Sequence, residues 1–270
     1  MDYLYDGSFD GLLTAIYHDY YSGRAGGIYP QDSPYQGSLF QEGSHLIETQ
    51  SSLADRVYQA IEIKLSDAAL PAIYHTYLSN IPEKETLILH YLRFSFSVGP
   101  RADSYHTHPA IQPVQKAARR VSFEKQRLLG LLRFIEIKQE PQPLLYARLT
   151  PDHNILPLLA AHFADRLQEE NFIIHDCRRR FAVIHPARSP WRLQLLDNQV
   201  TRWLERAENA ITDDPLTGNP QEVWYQNLWS RYFDSVAIES RRNARLQNHF
   251  IPYRYRCNLV EMIKLEQKTI

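Results

Sequence analysis

The apolar and polar positions change period along the chain, and the changes mark its elements. Tyr3 to Tyr5 reads as a short strand, Asp6-Gly7 as a turn, and Ser8 as the cap of a helix to about Tyr21. Along that helix Phe9, Leu12, Leu13, Ile16, Tyr17 and Tyr20 keep helical spacing, which predicts a buried face. Residues 22–44 are rich in Gly, Ser, Pro and Gln and read as a loop, followed by a strand at Leu46 to Thr49. Ser51 or Ser52 opens a helix lined by Leu53, Val57, Ala60, Ile61 and Leu65. Asp67 caps a second across Leu70 to Tyr77, and Glu83 starts a third that runs to about Ser97. The first half therefore reads as mostly helical.

Pro109 to Gly130 is again helical in period, with bases on its outer side, and then alternation of two takes over. Residues 134–138 and 144–149 read as an antiparallel hairpin across Gln139-Glu140-Pro141-Gln142-Pro143. Asp152 or Asn154 leads into a helix with Ile155, Leu158, Leu159, His162, Phe163 and Leu167. Phe172 to Asp176 and Phe181 to His185 form a second strand pair around an Arg-rich turn, and Trp191 to Leu196 adds a strand. Helices return at Thr201 to Ile211 and, after a turn at residues 215–218, from Gln221 to about Gln247. There Trp224, Leu228, Tyr232 and Val236 recur at four-residue steps and read as core. The expected class is α+β, mostly helical, with a central antiparallel sheet of about four or five strands covered by helices packed on one face. The division expected is residues 1–108, helical with an acidic start, and residues 109–270, or else one continuous domain.

Composition narrows the class. With 44% hydrophobic and 23% charged residues, the chain has the make-up of a soluble globular protein. It has no apolar run long enough to cross a membrane, its first residues do not read as a secretory leader, and its two cysteines exclude both a disulfide scaffold and an iron–sulfur triad. A cytoplasmic protein is expected, with no membrane partner. The net charge of −1 hides a strong asymmetry. The first 53 residues carry seven acids against Arg24, and this segment is expected to contact protein. Two later stretches, Cys177 to Leu196 and Arg241 to Arg256, contain five arginines each and no acid. Arginine outnumbers lysine 23 to 7, and its planar fork suits phosphate oxygens. The same clusters are also compatible with solvated or carboxylate-paired side chains.

Several signatures are absent: there is no phosphate-cradling P-loop and no Gly-x-Gly-x-x-Gly turn. His106-Thr107-His108 lacks a nearby third metal ligand, and neither a metal nor a cofactor is expected in this chain. His162 and Arg166 lie one helical turn apart and could meet one anion. His185-Pro186-Ala187-Arg188-Ser189-Pro190 superficially resembles the His-Pro-Ser-Pro loop of uracil-DNA glycosylases, but the water-activating motif is missing. Two constellations are stronger. His175-Asp176-Cys177-Arg178-Arg179-Arg180 ends a strand, where the carboxylate can orient a guanidinium or cap turn amides. Glu239 to Arg245, continuing through Pro252-Tyr253-Arg254-Tyr255-Arg256, interleaves arginines with rings that can stack on bases.

Five blocks together resemble one bacterial family. They are Tyr5-Asp6-Gly7-Ser8-Phe9-Asp10-Gly11-Leu12-Leu13, Glu124-x-x-Arg127 leading to Leu132-Arg133-Phe134, His162-Phe163-x-x-Arg166, His175-Asp176-x-x-Arg179, and Trp229-x-x-Tyr232-Phe233 through Arg241-x-Asn243, with Pro252-x-Arg254-Tyr255 and Glu261 beyond. The family is one of DNA-metabolism proteins of unassigned activity. Its members resemble the partner of a DNA-modification or repair radical-SAM protein, and the N-terminal partner domain of some uracil-DNA-glycosylase-family fusions. The resemblance implies an association with DNA processing and no catalytic residue. The expectation is an accessory DNA-binding protein working with a radical-SAM partner. Its phosphate contacts would come from Arg127, Arg133, Arg166, Arg179, Arg241, Asn243, Arg245 and Arg254. The alternative is an enzyme acting on a nucleotide or damaged base, with Glu124, His162 or Asp176 as acid or base. A third reading is a pure protein-interaction module.

Overall fold

The computed structural model describes residues 1–32, 43–137, 142–213, 219–241, 243–256 and 259–262. The chain forms two compact units, Met1–Phe123 and Glu124–Ile270. In the first, β1 (Asp2–Tyr5), α1 (Phe9–Tyr21), β2 (Ile28–Pro30), β3 (Ser44–Leu46), α2 (Ser51–Lys64), α3 (Ala69–Leu78) and α4 (Lys84–Val98) precede a single 3-10 turn (Ala102–Ser104) and the start of α5 (Gln112–Leu131). β1 is the centre of a three-stranded sheet, parallel to β2 on one side and to β3 on the other. Residues 22–44 thus hold a strand where a loop is expected, and β3 lies slightly ahead of its expected place. Three-residue strands are too short to show alternation.

The Asp6-to-Gly11 block explains itself at the β1–α1 turn. Gly7 adopts φ +83°, a conformation that side chains other than glycine's resist. Asp6 then accepts from the Ser8 backbone N–H at 2.9 Å and the Thr49 hydroxyl at 2.8 Å, while Ser8 caps α1 through the Gly11 N–H. A Cβ on Gly11 would run into the Asp6 carboxylate and lie 2.7 Å from Thr49 Oγ1. These residues build a turn. Below it, α1, α2 and α4 bury Leu12, Ile16, Ile61, Ile88 and Leu92 against Tyr3 and Tyr5 of β1.

The second unit contains β4 (Ile135–Ile137), β5 (Leu144–Leu149), α6 (Leu156–Arg166), β6 (Asn171–Asp176), β7 (Phe181–His185), β8 (Arg192–Leu195), α7 (Asn198–Asp213) and α8 (Pro220–Val236). A second 3-10 turn (Glu239–Arg241), α9 (Ala244–Phe250) and α10 (Tyr253–Arg256) follow. Its five strands run in chain order, β4 to β8, and every pairing is antiparallel except β5 with β6, which α6 connects as a crossover. The fold is α+β, as the periodicities predict. Helices lie on both faces, and not on one. Phe163 of α6 meets Phe134, which meets Phe172 of β6, whereas Leu204 of α7 packs with Tyr146, Ile173 and Ala182 on the opposite side.

The C-terminal helices depart most from expectation. The single helix expected from Gln221 to Gln247 ends at Val236, and Asn243 caps a new one by accepting from the Leu246 N–H at 3.0 Å. Trp224, Leu228, Tyr232 and Val236, read as core, are 57%, 48%, 56% and 53% exposed. α8 is held instead by Asn219 and Glu222, which both engage Glu136 of β4, and by its buried Ser230. The turn expected at residues 215–218 lies outside the described residues. None of the described helices is long and apolar enough to cross a membrane.

Asp19 is one of the buried acids of the first unit, with Asp2 and Glu85. Its side chain is fully buried and accepts from Arg93 Nε at 3.0 Å, Arg24 Nη1 at 3.0 Å and the Ala25 N–H at 2.7 Å, with a second Arg93 contact through Nη2. Burial alone would push its pKa up, but the Arg93 and Ala25 hydrogen bonds outweigh it and hold the carboxyl below its usual range. The group therefore stabilises the fold above its unfolded pKa, and that stability is lost as pH falls through the lower folded value. Asp19→Asn should cost about 3 kcal/mol in urea denaturation at pH 7, and this cost should shrink as acid, from about pH 4 downward, titrates the parent protein.

Candidate anion-binding arginine cluster

The parallel β5–β6 pair places Leu149 opposite Asp176, so the loop leaving β5 and the turn leaving β6 lie side by side. The Asp176 carboxylate, wholly buried, governs that turn. Its Oδ1 accepts from the backbone N–H groups of Arg178 and Arg179 at 2.9 and 3.2 Å, and its Oδ2 from Arg179 Nη1 at 2.8 Å. The carboxylate thus caps amides and orients a guanidinium at once. Arg179 then reaches across to the carbonyls of Pro151 (3.2 Å) and Asp152 in the neighbouring loop.

That loop is the meeting point of distant segments. Glu124 on α5 is buried and accepts from the backbone N–H groups of Asp152 and His153, both at 2.8 Å, and from the Tyr255 hydroxyl at 2.5 Å. Burial pushes the Tyr255 hydroxyl pKa up, and the adjacent Glu124 adds to the shift, so the group remains a donor. The Asp152 carboxylate receives Arg254 Nη1 on one oxygen at 2.5 Å and Arg178 Nη1 on the other at 3.3 Å. Arg254 also donates to the Tyr255 hydroxyl at 2.9 Å. The two acid-free stretches therefore converge on a single carboxylate. Asp152 and Tyr255, absent from the expected site, join it together. Asp152 reads as a helix cap in the sequence, but α6 starts after Ile155 with no side-chain cap.

The other expected residues are placed apart from this network. Arg133 lies 2.8 Å from Glu261 and over the Trp229 ring at 5.4 Å. Arg127 donates to the His249 carbonyl at 3.3 Å. His162 and Arg166 sit on the exposed side of α6, Asn243 serves as a helix cap, and Arg241 and Arg245 are exposed. His106 pairs with Gln115 while His108 stacks on Phe94, and His185 is buried against Phe172. Among the described residues no group of three or more His, Cys, Asp and Glu is placed to hold a metal ion.

Chemically, the centre is a brace. All four oxygens of Glu124 and Asp176 accept hydrogen bonds from protein donors. Three carboxylates, Glu124, Asp152 and Asp176, offset Arg178, Arg179 and Arg254. Elsewhere in the second unit, among the described residues, three guanidiniums are held by neutral oxygens: Arg127 on His249, Arg180 on Asn198 (3.2 Å), and Arg256 on Ile251 and Asn248. Removing one hydrogen bond to a buried charge costs about 1.5–3 kcal/mol. Tyr255→Phe should lower the second unit's stability by about that amount in urea denaturation. Glu124→Gln, which turns an acceptor into a donor facing an amide, should cost at least as much. The two should be non-additive in a double-mutant cycle, because both act on the same bond.

No curated protein and no solved structure is significantly similar to this chain. Residues 82–261, which carry every element of the cluster, match a family described as a domain of unknown function, DUF4130. The match spans well over half of the sequence, and the chain belongs to the DUF4130 family.

Proposed function

We propose that this protein is an accessory nucleic-acid-binding component of DNA modification or repair, working beside a radical-SAM partner, with its second unit as the DNA-binding part. The observation that carries this reading is the convergence of the two acid-free stretches on Asp152, through Arg178 and Arg254. A brace of this kind fixes the position of neighbouring guanidiniums before a ligand arrives, which lowers the entropy lost on binding. Because the central charges cancel, the attraction for a polyanion comes from Arg127, Arg180 and Arg256 at the margin, and from the outer edge of Arg178, whose side chain is 56% exposed. Tyr253, 73% exposed with Arg256 lying 5.9 Å from its ring centroid, supplies a surface for base stacking. DNA as the polyanion, and the radical-SAM partner, come from the family resemblance. Binding is favoured over an enzymatic role on a nucleotide or damaged base, since the carboxylates Glu124 and Asp176 are spent on structure and His162 faces solvent away from them.

A protein-interaction module is the second reading, favoured by the exposed Trp224, Leu228, Tyr232 and Val236 of α8. Failure to bind DNA alone, together with copurification with the radical-SAM protein that Trp224→Ser/Tyr232→Ser abolishes, would select it.

For the leading reading, affinity for short single- and double-stranded DNA should fall steeply with salt. The combined variant Arg127→Ala/Arg180→Ala/Arg256→Ala should reduce the log–log salt slope by about 2–3 on duplex DNA, close to one for each phosphate that is no longer neutralised. A flat salt response, or no binding at low salt, overturns it.

A further inference from the structure

The first unit contains a cleft of about 520 Å³ between α1 and α2, bounded also by Phe96 of α4. That is within the size range of small-ligand sites. Tyr17, Tyr20 and Tyr21 project from α1 at helical spacing, and Arg56 and Lys64 stand on α2 two turns apart, with Val57 and Ala60 between them. Tyr17 and Tyr21 stack at 4.5 Å, and Tyr20 meets Phe96 edge-to-face at 5.7 Å, so the walls offer aromatic faces and edges. Among the described residues no carboxylate lines the cleft.

Both of its cations lack a carboxylate partner among the described residues; Arg56 donates to the Tyr17 hydroxyl at 3.3 Å. The nearest buried acid on α1, Asp19, is already taken up by Arg93 and Arg24. The Tyr20 hydroxyl is buried beside the Arg24 guanidinium, which lies over its ring, 4.9 Å from the centroid, so it is the Tyr20 ring that lines the cleft.

We propose that this cleft binds a nucleobase carrying a phosphate: the ring lies against the tyrosines and Phe96, and the phosphate meets Arg56 and Lys64. A flat, polarisable ring suits the aromatic walls, and a phosphate dianion suits two cations that no acid neutralises. The site stands on first-unit residues alone, apart from the arginine cluster of the second unit, so it can fail or hold independently of the proposed function.

Isothermal titration of the full chain with 5′-AMP and 5′-UMP tests it, with adenosine, uridine and inorganic phosphate as partial ligands. A parallel arm uses a short oligonucleotide with and without a 5′-phosphate, to tell a free nucleotide from a strand end. The mononucleotides, or the 5′-phosphorylated strand alone if the source is a strand end, should bind roughly tenfold or more tighter than their unphosphorylated counterparts. Arg56→Ala/Lys64→Ala and, separately, Tyr21→Ala should each weaken binding about tenfold. Tyr21 is 76% exposed, so its loss should leave the melting temperature unchanged. Arg127→Ala/Arg180→Ala/Arg256→Ala should leave mononucleotide affinity, or the preference for a 5′-phosphate, unaltered. The proposal is overturned if neither mononucleotide nor 5′-phosphorylated strand binds at millimolar concentration, or if the cleft variants bind like the parent.

Discussion

Glu124 is the constraint on which the second unit's functional surface depends. A carboxylate removed from water needs its lone pairs filled, and this one fills them with two backbone amides of the β5–α6 loop and the hydroxyl of Tyr255. The loop is thereby fixed in place, and Asp152 with it, so that Arg254 and Arg178 have a stationary acceptor. Remove the buried acid and the loop amides, Tyr255 and both arginine segments lose their common reference.

The two units solve the problem of buried charge in related ways. Asp19 gathers Arg93, Arg24 and a backbone amide around one carboxylate, and Asp176 gathers two amides and Arg179. In each case the guanidinium is only partly covered while the acid is wholly enclosed, which places the desolvation cost on the smaller, better-satisfied ion. Much of the chain's arginine is thus structural. On the proposed function, anion binding falls to those guanidiniums that meet only neutral oxygens or solvent.

The longer helices before the C-terminal ones and the two antiparallel strand pairs were legible because each has enough residues for its period to repeat: Phe9 to Tyr20 carries three helical turns, and Phe172 to His185 two clear alternations. The three-residue β2 and β3 were not, lying beside or within a stretch rich in Gly and Pro. Alternation is the same in parallel and antiparallel strands, so the β5–β6 pairing could not be read from it. The α8 stripe shows the limit of periodicity: Trp224 and Tyr232 mark one side of a helix as apolar without saying what covers it. Within the site, Asp176 with Arg179 was visible because they stand three positions apart. Glu124 and Tyr255 stand 131 residues apart, and no local pattern joins them. Asp152 was hidden by ambiguity, since an acid just ahead of a helix ordinarily reads as its cap.

The side-by-side exit of the β5 loop and the β6 turn follows from one topological choice, the α6 crossover that makes those two strands parallel. Ligand sites in open sheets gather beyond the carboxyl ends of such neighbours. Here the geometry also restricts how the site can diverge. Lengthening the connection between Leu149 and α6 by even one residue would shift Asp152 against both of its arginines together, whereas exchanging the peripheral guanidiniums would leave the scaffold untouched. On the proposed function, changes in what this surface recognises are therefore open to side-chain replacement and closed to loop insertion.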